Sequence, residues 1–469
     1  MAHALDRHVA LVGFMGAGKS TLGAEAAARL GRRFVDLDRE LERTVERSIQ
    51  ELFEERGEAE FRVLEAAVTL DALKSDGPAV IALGGGAVET PEIRAALRER
   101  ALTVHIEVDP DTAWERSQGS DRPLARDEWS FRTRYEARRP LYAECAQATA
   151  TDAEAIVLAA GGVHVEDGSL ARLGDLLPEG GEVEIVADAI VHGLHRPPLD
   201  VPVHALRGGE DAKSLGAVER LWRDFRLDRY GTIVALGGGC TTDSAGFAAA
   251  TYLRGVRWVP VPTTLVGQVD AAIGGKTAVN LAEGKNLIGA FHWPVRTVID
   301  PTLLETLPER ERQSGMAEVV KTGLLAGEPL WELPDDELVR RCAAYKTAVC
   351  IRDPHERGER AVLNLGHTFA HALEAAGEFR RLTHGEAVAL GLLAALRLSG
   401  LETTAVEEVL QPRPAPVSRE AAWAAMARDK KARGGRPRLV LLEAPGKPVT
   451  GAELPEEEVR AALDALIAE

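Results

Sequence analysis

Cysteine is scarce in this chain: Cys145, Cys240, Cys342 and Cys350 are the only four, and no CxxC spacing occurs among them. No disulfide framework can be read from that set, so reduced thiols in a cytosolic setting are expected. Long apolar runs are missing too. No stretch reaches the roughly 18 apolar residues of a membrane span, and the opening Met-Ala-His-Ala-Leu-Asp-Arg has no signal-peptide core. A soluble, cytoplasmic protein is the expectation. Net positive charge is absent as well. At −17 overall, the chain is a poor general binder of nucleic acid or acidic membrane, so any anion-binding basic groups must be local. Neither a short repeat period nor a low-complexity tract is found.

What is present is length and small apolar residues. A chain of 469 residues exceeds one ordinary core, so two or three domains are expected. A hydrophobic content of 45% with many Ala, Gly and Val suits α/β units.

Histidine is concentrated in one place. His367 and His371 stand at i and i+4 in Asn364-Leu365-Gly366-His367-Thr368-Phe369-Ala370-His371, on one face of a helix. His384-Gly385-Glu386 follows, and Glu318 lies upstream in Gly315-Met316-Ala317-Glu318-Val319-Val320-Lys321. One carboxylate and two imidazoles around an open fourth position make a catalytic zinc set. A single such His is ordinarily a helix-surface side chain. With only 12 His in the chain, three of them in one short apolar stretch favour the metal reading.

The N-terminal module, residues 1–162, begins with a buried strand at 8–12, then Gly13-Phe14-Met15-Gly16-Ala17-Gly18-Lys19-Ser20-Thr21 and a helical run at 22–30. Strand, GxxxxGK[ST] and helix form a P-loop: glycines let backbone N–H groups wrap phosphates, Lys19 reaches them, and the Ser20 hydroxyl suits Mg²⁺. Residues 34–38 read as a second strand ending in Asp36 and Asp38 on the same side. One carboxylate would sit near Mg²⁺ and the other would accept a proton from a substrate hydroxyl. Arg62, a strand at 79–83, Gly84-Gly85-Gly86, Arg116, Arg122-Pro123-Leu124 and Arg138-Arg139-Pro140-Leu141-Tyr142 follow in order.

In that order and spacing the module resembles shikimate kinase. The resemblance implies a parallel sheet with helices on both faces and ATP-dependent phosphorylation of shikimate at its 3-hydroxyl. It places Gly16, Gly18, Lys19, Ser20 and Thr21 on ATP, Ser20 and Asp36 at Mg²⁺, and Asp38 at the reacting hydroxyl. Arg62, Arg138 and the backbone of Gly84, Gly85 and Gly86 would hold the substrate carboxylate and ring hydroxyls, and guanidinium forks fit a carboxylate. Arg116 would lie near adenine, and Arg122 would close over ATP from a lid. Arg139 is read as a solvated charge. Ala125 stands in the lid where a larger aliphatic residue is usual.

The C-terminal module, 163–469, has strands at 182–188, 203–206 and 232–236, the last ending in Gly237-Gly238-Gly239 with Asp243 at a helix start. A glycine turn there can bring a pyrophosphate to a helix N-terminus, although the GxGxxG spacing is absent. Arg254, Lys276, Lys285, Lys321, Lys346 and Arg360 stand among glycines and apolar strands of an acidic chain, where phosphate plus carboxylate is the economical ligand.

With Glu318, His367 and His384 added, this module resembles 3-dehydroquinate synthase over nearly its whole length. That implies an NAD-binding α/β half (163–305) and a helical metal-binding half (306–469), with Zn²⁺ or Co²⁺ on Glu318, His367 and His384. Asp188, Glu210, Lys213, Gly237, Gly238, Gly239, Asp243, Thr263, Thr264, Asp270, Lys276, Lys285 and Thr306 would face NAD⁺. The substrate, 3-deoxy-D-arabino-heptulosonate 7-phosphate, would meet Arg254, Asp270, Lys276, Asn286, Lys321, Lys346, Arg360, Asn364, His371, Lys430 and Lys431. Glu356 and His371 would move protons, with Lys276 at the phosphate. A homodimer through this module is expected. Ile190 stands where a polar Asn is common, and Cys240 where Val is usual. Two rivals stay open: a metal-dependent polyol dehydrogenase, which would leave the basic residues without an anion, and a first module that binds nucleotide for regulation without catalysis.

Overall fold

Short aliphatic runs buried on both faces are the signature of parallel strands sandwiched by helices, and His8–Val12 is buried at every position. The computed structural model describes residues 4–118, 127–281, 284–427 and 437–468. It divides into two units, Met1–Gly162 and Val163–Glu469.

In the first unit the strands are β1 (His8–Val12), β2 (Arg33–Asp36), β3 (Ala79–Ala82), β4 (Ala101–Ile106) and β5 (Ala148–Ala150). They form one parallel sheet in the order β2-β3-β1-β4-β5. Its helices are α1 (Lys19–Leu30), α2 (Leu37–Val45), α3 (Ile49–Lys74), α4 (Pro91–Arg100), α5 (Pro110–Ser117), α6 (Glu128–Cys145) and α7 (Ala153–Ala160). Ala10, Val12 and Ile81 pack one face of the sheet against Leu73, Ile93 and Leu97. The expected second strand through residue 38 is corrected. The strand stops at Asp36, whose side chain accepts the Arg39 amide as the N-cap of α2, so Asp38 lies in the first turn of a helix.

The second unit contains β6 (Val163–Val165), β7 (Val183–Asp188), β8 (Val203–Leu206), β9 (Thr232–Gly237), β10 (Arg257–Pro262), β11 (Lys276–Leu281), β12 (Gly284–Phe291) and β13 (Thr297–Ile299). The four-stranded parallel sheet runs β10-β9-β7-β8, while β6 pairs with β13 and β11 with β12. Period-two alternation splits its core. Val186, Ile233, Ala235 and Trp258 share one face with Phe247 of the following helix, and Ile185, Val234, Leu236, Val259 and Val261 share the other with Leu303. Helices α8 (Leu173–Leu176), α9 (Ala189–Leu194), α10 (Leu215–Asp224) and α11 (Gly239–Thr251) belong to this half.

Beyond it come α12 (Glu309–Ala326), α13 (Asp335–Arg352), α14 (His367–Ala376), α15 (His384–Leu398), α16 (Thr404–Leu410), α17 (Arg419–Ala427) and α18 (Glu456–Asp464) around one aliphatic core. This half also carries an antiparallel hairpin, β14 (Leu439–Ala444) with β15 (Lys447–Ala452), that the sequence reading did not place. No helix among the described residues is long and apolar enough to cross a membrane.

Candidate active sites

The first site grows from the C-terminal end of β1. Gly16 and Gly18 take left-handed φ of 81° and 89°, which lets the loop curl under the N-terminus of α1. Lys19 folds back onto the loop, donating to the carbonyls of Gly13 (2.7 Å) and Phe14 (3.1 Å). Ser20 and Thr21 are exposed in the first turn of α1. Across the sheet end, Arg62 on α3 pairs with Glu65 (2.6 Å), Glu58 (3.0 Å) and Glu89 (3.4 Å), and Arg138 on α6 pairs with Glu89 at 2.9 Å. The glycine triplet lies against them. A Cβ on Gly84 would fall 2.2 Å from Glu65 and 3.0 Å from Asp38, and one on Gly86 would strike the Arg62 guanidinium. Asp38, Arg62, Arg138 and the triplet are therefore neighbours. Arg116 is exposed, with Nη1 3.5 Å from the Gly16 carbonyl. Arg139 is largely exposed, as expected of a solvated charge. Arg122 lies outside the described residues.

Glu65 and Glu89 were not among the sequence candidates. Glu65 is buried, and that burial raises its carboxyl against the pull of Arg62. Its i,i+3 spacing from Arg62 was the available signal.

The second site lies in the other unit. In its parallel sheet β8 flanks β7 on one side while β9 and β10 extend on the other, so the strand order reverses between β7 and β9. That is where ligands settle in open α/β sheets. The carboxyl ends there are Asp188, which caps α9 through the amides of Ile190 (2.8 Å) and Val191 (3.3 Å), and the Gly237-Gly238-Gly239 turn opening α11. Lys213 meets Asp243 at 2.5 Å, and Lys285 meets Glu210 at 2.9 Å. Thr263 keeps a buried hydroxyl without a partner, and Thr264 packs on Gly238. Burial pushes the Cys240 thiol up to about 12, so it stays protonated beside this turn. Thr306 is exposed, its hydroxyl 2.6 Å from His195 Nε2.

Three helices deliver the metal-type set. Thr383 and Glu386 form a capping box that fixes the start of α15 and with it His384. Gly385 allows α15 to touch α12, since a Cβ there would sit 2.3 Å from Ser314 Cα. Gly391 allows it to touch the start of α14, where a Cβ would meet the Gly366 carbonyl at 2.1 Å. The close approach brings Glu318, His367 and His384 together, with their ligand atoms within 4.8 Å of one another. Oε1 of Glu318 lies 3.1 Å from His384 Nε2 and 3.4 Å from His367 Nε2. Glu318 is fully buried beside Lys321. Burial alone would raise its carboxyl, but Lys321 and His367 hold it well below the usual carboxylate range. Burial disfavours a charged His384, yet Glu318 and Glu374 outweigh it and push that imidazole up to about 10. Burial and Lys321 lower the His367 imidazole, which keeps it neutral as a metal ligand must be, and convergent imidazole and carboxylate donors of this kind fit a divalent cation.

Around this set, Asp270 pairs with Lys346 (2.8 Å) and Lys321 (3.6 Å). Burial opposes its charge, but the two lysines bring it down to about 2. Glu356, at φ 53°, accepts from Lys276 (2.6 Å) and Asn364 (3.3 Å). The buried Arg360 leaves its Nε without a partner. Asn286 donates its amide to Asn280 at 2.9 Å, and the His371 ring stands edge-on to His367 at 5.5 Å. Arg254 is exposed in a strained turn, at φ 67°. Lys430 and Lys431 lie outside the described residues.

Fold and site together define a two-unit enzyme, a P-loop phosphotransferase unit followed by a unit with a carboxylate and two histidines beside a dinucleotide-type crevice. Residues 15–165 match the family model of shikimate kinase, 203–314 that of the 3-dehydroquinate synthase N-terminal part, and 315–432 that of its C-terminal part. The 3-dehydroquinate synthase of Gloeobacter violaceus is 42% identical over 346 residues, covering 65% of this chain and 96% of that one. Two solved structures align at TM-score 0.57, each over 65% of this chain and 96% of theirs. They are 2-epi-5-epi-valiolone synthase from Streptomyces hygroscopicus with NAD⁺ and Zn²⁺ (30% identity), and 2-deoxy-scyllo-inosose synthase with carbaglucose-6-phosphate, NAD⁺ and Co²⁺ (25%). The chain belongs to the 3-dehydroquinate synthase family and carries a shikimate kinase module ahead of it.

Proposed function

We propose that the first unit transfers phosphate from ATP to the 3-hydroxyl of shikimate, and that the second converts 3-deoxy-D-arabino-heptulosonate 7-phosphate to 3-dehydroquinate and phosphate. The observation that carries the second half is the convergence of Glu318, His367 and His384 beside the Asp270, Lys321 and Lys346 network. A neutral polyol would give Arg254, Lys276 and Arg360 no phosphate or carboxylate to bind, which weighs against a dehydrogenase.

In the kinase unit Lys19 leaves the loop carbonyls for the ATP phosphates. Backbone amides of Gly16 and Gly18 cradle them, Ser20 and Asp36 hold Mg²⁺, and Thr21 and Arg116 complete the nucleotide contacts. Asp38 takes the proton of the attacking hydroxyl. Arg62 and Arg138 exchange their glutamates for the substrate carboxylate over the Gly84, Gly85 and Gly86 backbone. The retained Lys19, Asp38 and arginines favour catalysis over a purely regulatory unit.

In the synthase unit Glu318, His367 and His384 hold Zn²⁺ or Co²⁺, and the crevice at Asp188, Glu210, Lys213, Gly237 to Gly239, Asp243, Thr263, Thr264 and Thr306 holds NAD⁺. The metals and NAD⁺ bound by the two similar structures support that pair. When bound, the dinucleotide takes and returns a hydride while the metal polarises the substrate alcohol. The chain's own residues do the rest. Asp270, Lys321, Lys346 and Asn364 orient the substrate hydroxyls, and Lys276, Asn286, Arg254 and Arg360 bind phosphate and carboxylate. Glu356 and His371 move protons as phosphate leaves. Leu281 and Leu287, exposed on the β11–β12 ribbon, support a homodimer through this unit. The deciding experiment supplies the sugar phosphate with NAD⁺ and metal. Dehydroquinate and phosphate should appear in equal amounts with a flat NADH absorbance. Stoichiometric NADH formed from a neutral polyol, without phosphate release, rejects the assignment.

A further inference from the structure

A histidine that binds metal through one ring nitrogen works best with the other nitrogen occupied, which fixes its tautomer and ring plane. His367 meets that need from the backbone, with Nδ1 3.1 Å from the Leu365 carbonyl and Nε2 turned to Glu318. His384 is built alike with a different partner: Nε2 faces Glu318 at 3.1 Å and Nδ1 faces Oε1 of Glu374 at 3.5 Å. Glu374 is only 5% exposed. It follows His367 and His371 at i, i+4 and i+7 on α14, one helical stripe. A carboxylate that buried is costly unless paired. Lys285 approaches it at 3.8 Å but sits closer to Glu210, at 2.9 Å. Nothing in the proposed chemistry uses Glu374 on substrate or cofactor.

We infer that Glu374 is the positioning residue of the metal centre: its carboxylate accepts the Nδ1–H of His384 and so aims Nε2 into the site shared with Glu318 and His367. This rests on reading those three as metal ligands. The test reads Zn²⁺ affinity of the full-length, metal-stripped chain by competition with a chromogenic chelator, without substrate. His384→Ala probes the ligand set, Glu374→Gln the positioning, and the double variant their coupling. Glu374→Gln should weaken Zn²⁺ binding by about 10–100-fold, and most of that loss should vanish in the His384→Ala background, where no ring remains to be aimed. If Glu374→Gln does not fold, Glu374→Asp replaces it, with a loss of the same sign expected from its shorter reach. Unchanged affinity, or an undiminished loss in the His384→Ala background, overturns the positioning role. Wild-type affinity in His384→Ala itself overturns the ligand set, a separate result.

Discussion

The two sites keep their charges in opposite ways. In the kinase unit the cations rest in part on exposed placeholders: Lys19 on loop carbonyls, and Arg62 and Arg138 on Glu58 and Glu89, whose side chains are 49% and 42% exposed, while Arg62 also holds the buried Glu65 at 2.6 Å. An ion pair with a half-exposed glutamate is worth only about 0–1 kcal/mol, so a ligand can displace Glu58 and Glu89 cheaply. The synthase charges are interlocked and buried, with Glu318 and Lys321 at 0% and 1% exposure. Removing one partner of a buried pair typically costs about 3–5 kcal/mol. The first site is made to exchange partners, whereas the second is assembled by the fold before any ligand arrives.

Chelation is the widest test of that contrast. It should abolish both activities; Mg²⁺ should restore only shikimate phosphorylation, and Zn²⁺ or Co²⁺ only dehydroquinate formation. Recovery of the synthase with Mg²⁺ alone would remove the distinction between the two ion sites. Next in size, Lys321→Met in the metal-stripped chain should lower the stability of the synthase unit by about 3–5 kcal/mol, read from its urea midpoint, while kinase turnover changes less than about twofold. A shift under about 1 kcal/mol would mean that the buried network is as screened as an exposed pair.

Lys19→Ala should cut shikimate phosphorylation by about 10²–10³-fold, the range for losing one transition-state charge donor. Its urea midpoint and its dehydroquinate formation should stay at wild-type values. A matching fall in both activities would show that the sites are not independent. The smallest effect belongs to Glu89→Gln. If Glu89 is a placeholder, the KM for shikimate should move less than about fivefold, as befits a half-exposed partner. A drop in kcat of a hundredfold would instead make Glu89 part of the chemistry.

Much was legible in the chain itself. The P-loop could be read because its glycines, lysine and serine are contiguous, so local backbone geometry carries the motif. Buried strands such as Thr232–Gly237 announced themselves as unbroken apolar runs. The histidine cluster was visible because His367 and His371 stand at i and i+4 on one helix face and His384 follows close behind in the sequence. Legibility failed where a single residue tips the backbone: Asp36 captures the Arg39 amide and starts a helix where alternation suggested two more strand residues. Only the tertiary structure decided that Glu318, far upstream, comes within 3.1 Å of His384, because glycines at 385 and 391 let the helices touch. It likewise decided which carboxylates stand behind the functional groups. Glu65 stands behind Arg62 at a helical i,i+3 spacing that the sequence does carry, whereas Glu374 behind His384 follows from burial and the close packing of two helices, which no spacing in the sequence specifies.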